Sequence, residues 1–281
     1  MSGTIYIVGT PIGNLSDFSP RAIETLKRVD FIAAEDTRVT LKLLNHFDIC
    51  KPLVSYHEHN LRERGEVIIN RVLQGESAAI VSDAGMPCIS DPGEDLVKLA
   101  AAAGIQTIVI PGPSAAISAL CISGLSTARF SFEGFLSTNR KNRREHLMSL
   151  QNDTHTLIFY EAPHKLLDTL RDMEKVFGAD RKISLCREMT KIHEEAFRTT
   201  LGEASAYYEE NTPKGEFVLI IEGAKPALPP EMPLSEAVEQ AAQLVAEGMR
   251  PTDAAKQISA HTRFRKSEIY AALTAKTAEE N

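Results

Sequence analysis

Short apolar segments alternate with amphipathic segments along the first part of the chain. The apolar segments are apolar at consecutive positions rather than at every second one, which is typical of strands buried on both faces. They predict strands at Thr4–Val8, Phe31–Ala34, Ala78–Val81 and Gln106–Ile110, with helices at residues 20–28, 41–47, 61–73 and 95–103. This alternation predicts an α/β fold built on a parallel sheet covered by helices.

Turns rich in glycine and proline follow three of these strands. They are Gly9–Asn14, Ser82–Gly93 and Pro111–Ala115. The second turn reads SDAGMPCISDPG and contains two prolines, Pro87 and Pro92. Because the carboxyl ends of parallel strands meet at one edge of a sheet, the three turns predict a crevice that binds a polar small molecule through backbone N–H groups. Neither a GxGxxG fingerprint nor a P-loop lysine is present, so the two common nucleotide motifs are excluded.

A second group of predicted elements follows residue 120. Strands are expected at Phe130–Leu136, Thr156–Tyr160, Lys182–Cys186 and Phe217–Ile221, with a helix at Leu166–Phe177. A proline-rich segment then precedes three short predicted helices within residues 234–273. The sequence therefore predicts an N-terminal α/β domain (1–120), a second α/β domain (121–224), a linker (225–233) and a small all-α, RNA-binding-like tail (234–281).

Composition restricts the class of protein. The 281 residues are 43% hydrophobic and 25% charged, with a net charge of −7, as expected for a globular protein. No apolar run approaches the roughly 18 residues of a membrane helix, and the N-terminus lacks a basic signal-peptide region, so a cytoplasmic protein is expected. The four cysteines form no CxxC pair, and His57-Glu58-His59 lacks a third spaced ligand, so no metal site is expected.

Two basic runs occur in this acidic chain. Arg140 to Arg144 contains four cations in five positions and is interpreted as a loop before a helix, either a solvated face or a contact for phosphates. The tail has spacing like a helix-turn-helix, and between Arg250 and Tyr270 it carries five cations against two acids. A small pair of interaction helices remains an alternative for the tail.

Eight ordered motifs resemble one family. They are VGTPIGN (8–14), AEDTR (34–38), SDAGMPCISDPG (82–93), PGPSA (111–115), FEGFL (132–136), YEAPHK (160–165), REMTKIHEE (187–195) and KGEFVLIIEG (214–223). These segments resemble the tetrapyrrole-methylase-type (class III) S-adenosylmethionine methyltransferases. Within that family they are similar to the branch that methylates a ribose 2′-hydroxyl of small-subunit ribosomal RNA, in which a basic helical tail is also usual.

The resemblance implies a fold, an activity and partners. The fold is two α/β domains with the cofactor cleft between them, usually in a homodimer. The activity is 2′-O-methylation of a cytidine ribose in the decoding region of 16S ribosomal RNA, with S-adenosylmethionine as donor, S-adenosylhomocysteine as product and no metal. The expected partner is ribosomal RNA within the small ribosomal subunit, with no membrane contact.

The resemblance also implies donor-binding residues. They are Pro11, Gly85, Met86, Pro87, Cys88, Ile89, Ser114, Ala115, Phe135, Tyr160, Glu161 and Glu216. Three positions depart from the family pattern, which usually has Thr at Met86, Pro at Ser137 and Arg at Lys165. The departure at Met86 removes a hydroxyl from the donor loop, although backbone contacts there would survive.

The expected reaction needs alignment and help for a weak nucleophile. Transfer from a sulfonium is an in-line displacement with a neutral leaving group, and a base or a cation should assist a ribose hydroxyl. The candidate catalytic residues are Asp36, Arg38, Glu133, Arg187, Glu188 and Lys214, each of which has a structural ion pair as its alternative role. Candidate RNA contacts are Arg140, Lys141, Arg143, Arg144, Arg263, Arg265 and Lys266.

Two other functions fit parts of the sequence. The first is methylation of a small tetrapyrrole or corrinoid precursor, against which the two basic runs weigh. The second is a non-catalytic ribosome assembly factor that retains an inactive donor cleft, which would fail to bind the donor. The residues alone predict an α/β enzyme with a cleft lined by glycine and proline, and the reaction and substrate rest on the resemblance.

Overall fold

The chain falls into two compact units. The computed structural model describes residues 2–91, 93–225 and 232–279. One unit is Met1–Ala224 and the other is Lys225–Asn281. Pro92 of the predicted crevice and residues 226–231 of the predicted linker lie outside the described residues. A domain boundary at residue 120 stays a prediction.

The first sheet contains five parallel strands. They are β1 (Thr4–Val8), β2 (Phe31–Ala34), β3 (Leu53–Ser55), β4 (Ala78–Val81) and β5 (Gln106–Ile110), in the order β3-β2-β4-β1-β5. The helices between them are α1 (Pro20–Arg28), α2 (Thr37–His46), α3 (Leu61–Leu73) and α4 (Gly93–Ala102). Every residue of β2 and β4 is buried, and two separate apolar clusters contain alternate residues of these strands. The sheet is therefore covered on both faces, as the apolar runs predicted.

The second sheet is mixed. Its strands are β6 (Phe130–Phe135), β7 (Thr156–Glu161), β8 (Lys182–Arg187), β9 (Glu195–Thr200) and β10 (Phe217–Ile221), in the order β6-β7-β10-β8-β9. Strands β6 and β7 are parallel, and the other three pairings are antiparallel. Its helices are α5 (Ala115–Ile122), α6 (Arg140–Ser149), α7 (Leu166–Phe177) and α8 (Leu201–Glu210).

The C-terminal unit consists of three helices in its described part. They are α9 (Leu234–Ala246), α10 (Pro251–Ser259) and α11 (Lys266–Glu279). Alanines dominate their shared core, where Ala237, Ala241, Ala254 and Ala255 pack with Ile269. Small side chains allow close helix packing in a unit of this size. Across the described ranges, no helix combines the length and apolar character needed to span a bilayer.

The α/β prediction is confirmed, and most predicted elements agree with the structure to within a few residues. The sequence analysis did not predict β3, β9 or α8. Strand β3 has three residues, too few for a pattern, and β9 is an edge strand that reads EAFRTT and is partly exposed. Helix α2 begins four residues earlier than predicted because Asp36 caps it.

The structure of the basic run at residues 140–144 differs from the interpretation of its sequence. Asn139 accepts the backbone N–H groups of Lys141 and Asn142, so the run is the start of α6 and not a loop. The Arg143 side chain is only 9% exposed, and its guanidinium donates to Asp172 Oδ2 on α7 at 2.7 and 3.0 Å. The Arg143 side chain is therefore buried in an ion pair that joins two helices, and this burial opposes its predicted contact with RNA.

Replacing Asp172 with alanine tests this ion pair. The substitution leaves the Arg143 guanidinium buried without its partner, and breaking a buried pair costs about 3–5 kcal/mol. We expect Asp172→Ala to lower the free energy of unfolding by about that amount in urea unfolding followed by circular dichroism. Asp168→Ala, at an exposed position of the same helix, is the matched control and should cost about 0.5 kcal/mol. Equal losses in the two variants would contradict the assignment.

Candidate active site

Two glycines bring the first and third turns into contact. Gly9 follows β1 and donates its backbone N–H to the carbonyl of Ile110 at 3.0 Å. A Cβ on Gly9 would lie 2.7 Å from the Cα of Gly112, and a Cβ on Gly112 would lie 2.9 Å from the Cα of Gly9. Real Cβ atoms do not approach backbone so closely. Both positions therefore require glycine for the turns to pack.

The second turn is hydrogen-bonded to the first. The backbone N–H of Thr10 donates to the carbonyl of Gly85 at 2.9 Å, and the N–H of Gly85 donates back to Thr10 at 3.2 Å. The Thr10 hydroxyl also donates to the carbonyl of Ser82 at 3.2 Å. Thus all three turns after β1, β4 and β5 meet at one sheet edge, as the sequence predicted.

Left-handed backbone shapes the middle turn. Gly85 has φ +88°, and the non-glycine residues Cys88 and Ser90 have φ +72° and +62°. Asp91 holds this conformation, since its Oδ1 accepts the backbone N–H groups of Cys88 and Gly93, each at 2.8 Å. Non-glycine residues in this region cost free energy and cluster at functional sites.

Met86 replaces the family's usual threonine with another acceptor. Its sulfur accepts the backbone N–H of Gly112 at 3.2 Å. The side chain also packs against the apolar cluster on one face of the first sheet. The substitution therefore removes a hydroxyl but supplies a contact between the second and third turns.

Aromatic residues of the second sheet form another wall. The Tyr160 hydroxyl, at the end of β7, accepts the backbone N–H of Ala116 at 3.2 Å. The rings of Phe132 and Phe135 lie 5.1 and 5.4 Å from the Tyr160 ring. The next residue, Glu161, is buried with both oxygens engaged, by its neighbour's amide and by the hydroxyl of Thr169 at 2.6 Å.

The turns and this wall enclose a cleft of about 580 Å³. Its lining combines small, aromatic and acidic residues. Of the predicted donor-binding residues, it includes Gly85, Met86, Ile89, Ser114, Ala115, Phe135, Tyr160, Glu161 and Glu216. Pro11, Pro87 and Cys88 do not line the cleft. Donor binding by these residues stays a prediction, but the structure brings most of them around one cavity.

The predicted catalytic pair Asp36 and Arg38 does not line the cleft. Asp36 caps α2 by accepting the backbone N–H of Arg38 at 2.8 Å, and its carboxylate pairs with the Arg38 guanidinium at 2.6 Å. These hydrogen bonds lower the pKa of Asp36, and a carboxylate with a lowered pKa is a weak base. In the structure, Asp36 and Arg38 therefore form an ion pair at the start of α2, which is the alternative role that the sequence analysis stated for them.

The other predicted catalytic residues also lie outside the lining. Arg187 pairs with Glu195 at 2.8 Å, and Lys214 is exposed. Glu188 accepts a hydrogen bond from Lys191 at 2.9 Å, which lowers its pKa. Glu133, from β6, lines no part of the cleft and accepts a hydrogen bond from His146 at 2.9 Å. None of the predicted catalytic side chains is among the residues that line the cleft, and their catalytic role stays a prediction.

Two cleft carboxylates were not among the candidate site residues of the sequence analysis. Glu35 follows β2, Asp83 follows β4, and both line the cleft. Burial, together with the charges of Asp83, Asp91 and Asp36, raises the pKa of Glu35. Burial also raises the pKa of Asp83, opposed by the hydrogen bond that Asp83 accepts from the backbone N–H of Asp36. Their positions in the sequence could have indicated a role in the site, because each acid lies just after the carboxyl end of a buried strand.

The predicted RNA contacts lie on helix starts. On α6, Arg140 and Lys141 are 65% and 82% exposed, while Arg144 donates to Asp172 at 3.0 Å. In the C-terminal unit, Arg263, Arg265 and Lys266 are exposed at the start of α11. The Arg263 guanidinium lies 5.2 Å from the ring of Phe264. Apart from Arg143, the predicted cations remain accessible.

Metal ligands are not assembled anywhere in the described ranges. No group of three His, Cys, Asp or Glu side chains there could hold a metal ion. The rings of His57 and His59 lie 5.9 Å apart, and His57 is hydrogen-bonded to Asn60.

Comparison with known proteins decides the family. The sequence profile of the tetrapyrrole (corrin/porphyrin) methylases matches residues 4–205. The chain belongs to this family. It is therefore a methyltransferase, and the resemblance found in its motifs is confirmed.

Curated relatives cover almost the whole chain. A protein named ribosomal RNA small subunit methyltransferase I from Synechocystis sp. is 48% identical over 268 residues, covering 95% of this chain and 96% of its own. One with the same name from Halalkalibacterium halodurans is 50% identical over 271 residues, covering 95% and 93%. Within the tetrapyrrole methylase family, the chain therefore belongs with these relatives.

Solved structures show the same fold at low identity. Diphthine synthase matches with a TM-score of 0.60 at 15% identity, over 79% of this chain and 90% of its own. Uroporphyrin-III-C-methyltransferase from Thermus thermophilus matches with a TM-score of 0.56 at 17% identity, over 78% and 94%. At this low identity, the structural similarities support the assigned fold and do not indicate the substrate.

Substituting Gly9 tests the contact between turns. In Gly9→Ala the new Cβ meets the backbone of Gly112, so the turns must separate and the cleft must change shape. We expect the affinity for S-adenosylmethionine, measured by calorimetry, to fall at least about tenfold, or about 1.4 kcal/mol. Gly104→Ala is the control, because it introduces strain at φ +66° in open space. Unchanged donor affinity in Gly9→Ala would show that the contact does not shape the donor site.

Proposed function

We propose that this protein transfers a methyl group from S-adenosylmethionine to the 2′-hydroxyl of a cytidine ribose in the decoding region of 16S ribosomal RNA. The observation that carries the proposal is the identity of 48–50% to proteins named ribosomal RNA small subunit methyltransferase I, across at least 93% of each chain. Similarity of this extent covers nearly the whole chain.

The cleft suits S-adenosylmethionine in size and chemistry. A volume of about 580 Å³ is within the usual range for small-molecule sites, about 300–1,000 Å³. The aromatic rings of Phe135 and Tyr160 offer apolar faces for a base, and the carboxylate of Asp83 suits a cation. When bound, the donor supplies a methyl group on a positively charged sulfur.

Small residues let a ligand approach the backbone. Gly85 has φ +88°, and a Cβ there would lie 3.1 Å from a methyl of Ile12 and 3.3 Å from the carbonyl of Pro113. Ser114 and Ala115 line the same cleft at the start of α5. These residues hold and orient the donor, and orientation alone can supply several kcal/mol of the rate enhancement in such a displacement.

The exposed cations are proposed to dock the RNA. Arg140, Lys141 and Arg144 on the first unit, with Arg263, Arg265 and Lys266 on the second, can each contact phosphates. Phosphate contacts position an RNA without reading its sequence, so selection of the nucleotide has to come from RNA shape and unstacked bases. The substrate proposed is RNA within the small ribosomal subunit, and the enzyme is proposed to act as a homodimer.

Methyl transfer to isolated ribosomal subunits tests the function. The purified protein is incubated with labelled donor and small subunits from cells that lack the gene, and the RNA is mapped by mass spectrometry. We expect one new ribose methyl group on a cytidine of 16S RNA. Subunits from cells that carry the gene are the control and should accept none, because their site is already modified. Transfer to a corrinoid precursor without transfer to RNA would overturn the proposal.

Neutralising the C-terminal cations tests the docking surface. Three fewer phosphate contacts should reduce the slope of log affinity against log salt concentration by about 2–3. We therefore expect Arg263→Gln, Arg265→Gln and Lys266→Gln together to weaken RNA binding about 10²-fold at 0.1 M salt, measured by filter binding. Donor affinity should be unchanged.

The control carries the same change in net charge. Lys27→Gln, Lys42→Gln and Lys175→Gln together remove three exposed lysines of the first unit that belong to neither basic run. RNA affinity in this variant should stay within about threefold of the original. Equal weakening in both variants would mean that net charge, and not the C-terminal cluster, governs binding.

A further inference from the structure

The cleft is lined by several carboxylates, which differ in whether they already accept hydrogen bonds or form ion pairs within the protein. Glu161 accepts hydrogen bonds on both oxygens, and Asp91 accepts two backbone N–H groups on one oxygen. Glu216 pairs with the ammonium of Lys191 at 3.1 Å. Each of these three acids is therefore committed to holding the walls of the cleft.

The remaining two acids lie side by side on neighbouring strands. Strands β2 and β4 pair in parallel, so Glu35 and Asp83 emerge at the same edge. Asp83 accepts the backbone N–H of Asp36 at 3.1 Å, which fixes its carboxylate beside the turn that carries Glu35. Among the residues that the structure describes, the Glu35 side chain has no hydrogen-bond or ion-pair partner. Glu35 is thus held in the cleft with its carboxylate uncommitted.

The two sheets contribute chemically different parts of the cleft. The aromatic residues Phe135 and Tyr160 come from β6 and β7, whereas Glu35 and Asp83 come from β2 and β4. An adenine ring is best accommodated by the apolar and aromatic part. The acidic edge is then left for the charged sulfur of the donor and for the hydroxyl that attacks it.

We propose that Glu35 is the general base of this enzyme and accepts the proton of the ribose 2′-hydroxyl. This inference rests on the proposed function. As the O–H bond breaks, the proton passes to the Glu35 carboxylate, and the oxygen uses an electron pair to bond the methyl carbon. The carbon–sulfur bond breaks with its electrons on sulfur, which leaves as a neutral thioether. Glu35 then releases the proton to solvent.

The surroundings of Glu35 suit this role. The charged groups that face it are Asp83 and Asp91 from the loop after β4 and Asp36 from its own turn. With burial, these negative charges raise the pKa of Glu35, and a carboxylate with a raised pKa is a stronger base. Asp83, anchored by the Asp36 backbone, acts as a positioning residue that keeps the attacking edge negative.

Glu35→Gln tests the proposal because it keeps the shape of the side chain and removes the basic oxygen. We expect the single-turnover rate of methyl transfer to small subunits to fall about 10²–10⁴-fold, the usual contribution of a general base. The affinities for S-adenosylmethionine and RNA, measured by calorimetry and filter binding, should stay within about twofold. Glu94→Gln, at an exposed ion pair of α4, is the matched control and should keep the full rate.

The pH dependence distinguishes a base from a merely structural residue. A general base works when deprotonated, so the rate of the original enzyme should rise with pH through a pKa above the ordinary glutamate value of 4.5. Glu35→Gln should lose this rise, and Glu35→Asp should keep it at a reduced rate.

Two results with the Glu35→Gln variant would overturn this inference alone. The first is a Glu35→Gln enzyme that retains its rate within about threefold. The second is a loss of donor affinity of tenfold or more, which would assign Glu35 to binding the donor's positive charge. An original enzyme that binds the donor and methylates no ribosomal RNA would overturn the proposed function and this inference with it. An active original enzyme with an equally active Glu35→Gln variant would overturn this inference alone.

Discussion

The contact between Gly9 and Gly112 is the constraint on which the cleft depends. Neither residue has room for a Cβ, so the turns after β1 and β5 pack backbone to backbone. This close approach brings the amide of Gly112 to the sulfur of Met86 and leaves Thr10 facing Gly85, so that the second turn is hydrogen-bonded to the first. The carboxyl ends of three parallel strands lie at one edge of the sheet. The glycines at positions 9 and 112 allow the turns that follow these strands to pack together as one wall of the cleft.

Charge is distributed in a way that fits the proposed substrates. The exposed cations lie on or just before α6 and α11, while the cleft carries acids, and burial together with the charges of Asp83 and Asp91 raises the pKa of Glu35 there. Phosphates are repelled by such a cleft, whereas a neutral ribose hydroxyl and a cationic donor are not. The cations that could contact phosphates and the acids that suit a cationic donor therefore belong to separate groups of residues.

Sequence alone predicted the parts of this fold that depend on local pattern. Buried strands such as β4 and helices with clear caps, such as α1 after Ser19, follow from composition and spacing. The roles of individual acids do not. Glu35 and Asp36 are neighbours, yet one faces the cleft and the other caps a helix, which depends on where α2 begins. Likewise, Arg143 and Lys141 belong to one basic run, but the partner Asp172 is 29 residues from Arg143.

The position of Cys88 has a consequence for the protein's redox chemistry. Burial and the charges of Asp91 and Glu94 raise the pKa of the Cys88 thiol to about 12. At neutral pH only about one thiol in 10⁵ is then ionised, and the thiolate is the form that reacts with oxidants, disulfides and alkylating agents. Burial, together with the negative charges near the cleft, thus keeps the Cys88 thiol protonated and slow to react. Cys88 therefore acts as a small apolar side chain in the loop. Because its thiol is rarely ionised, we expect oxidants to modify it slowly.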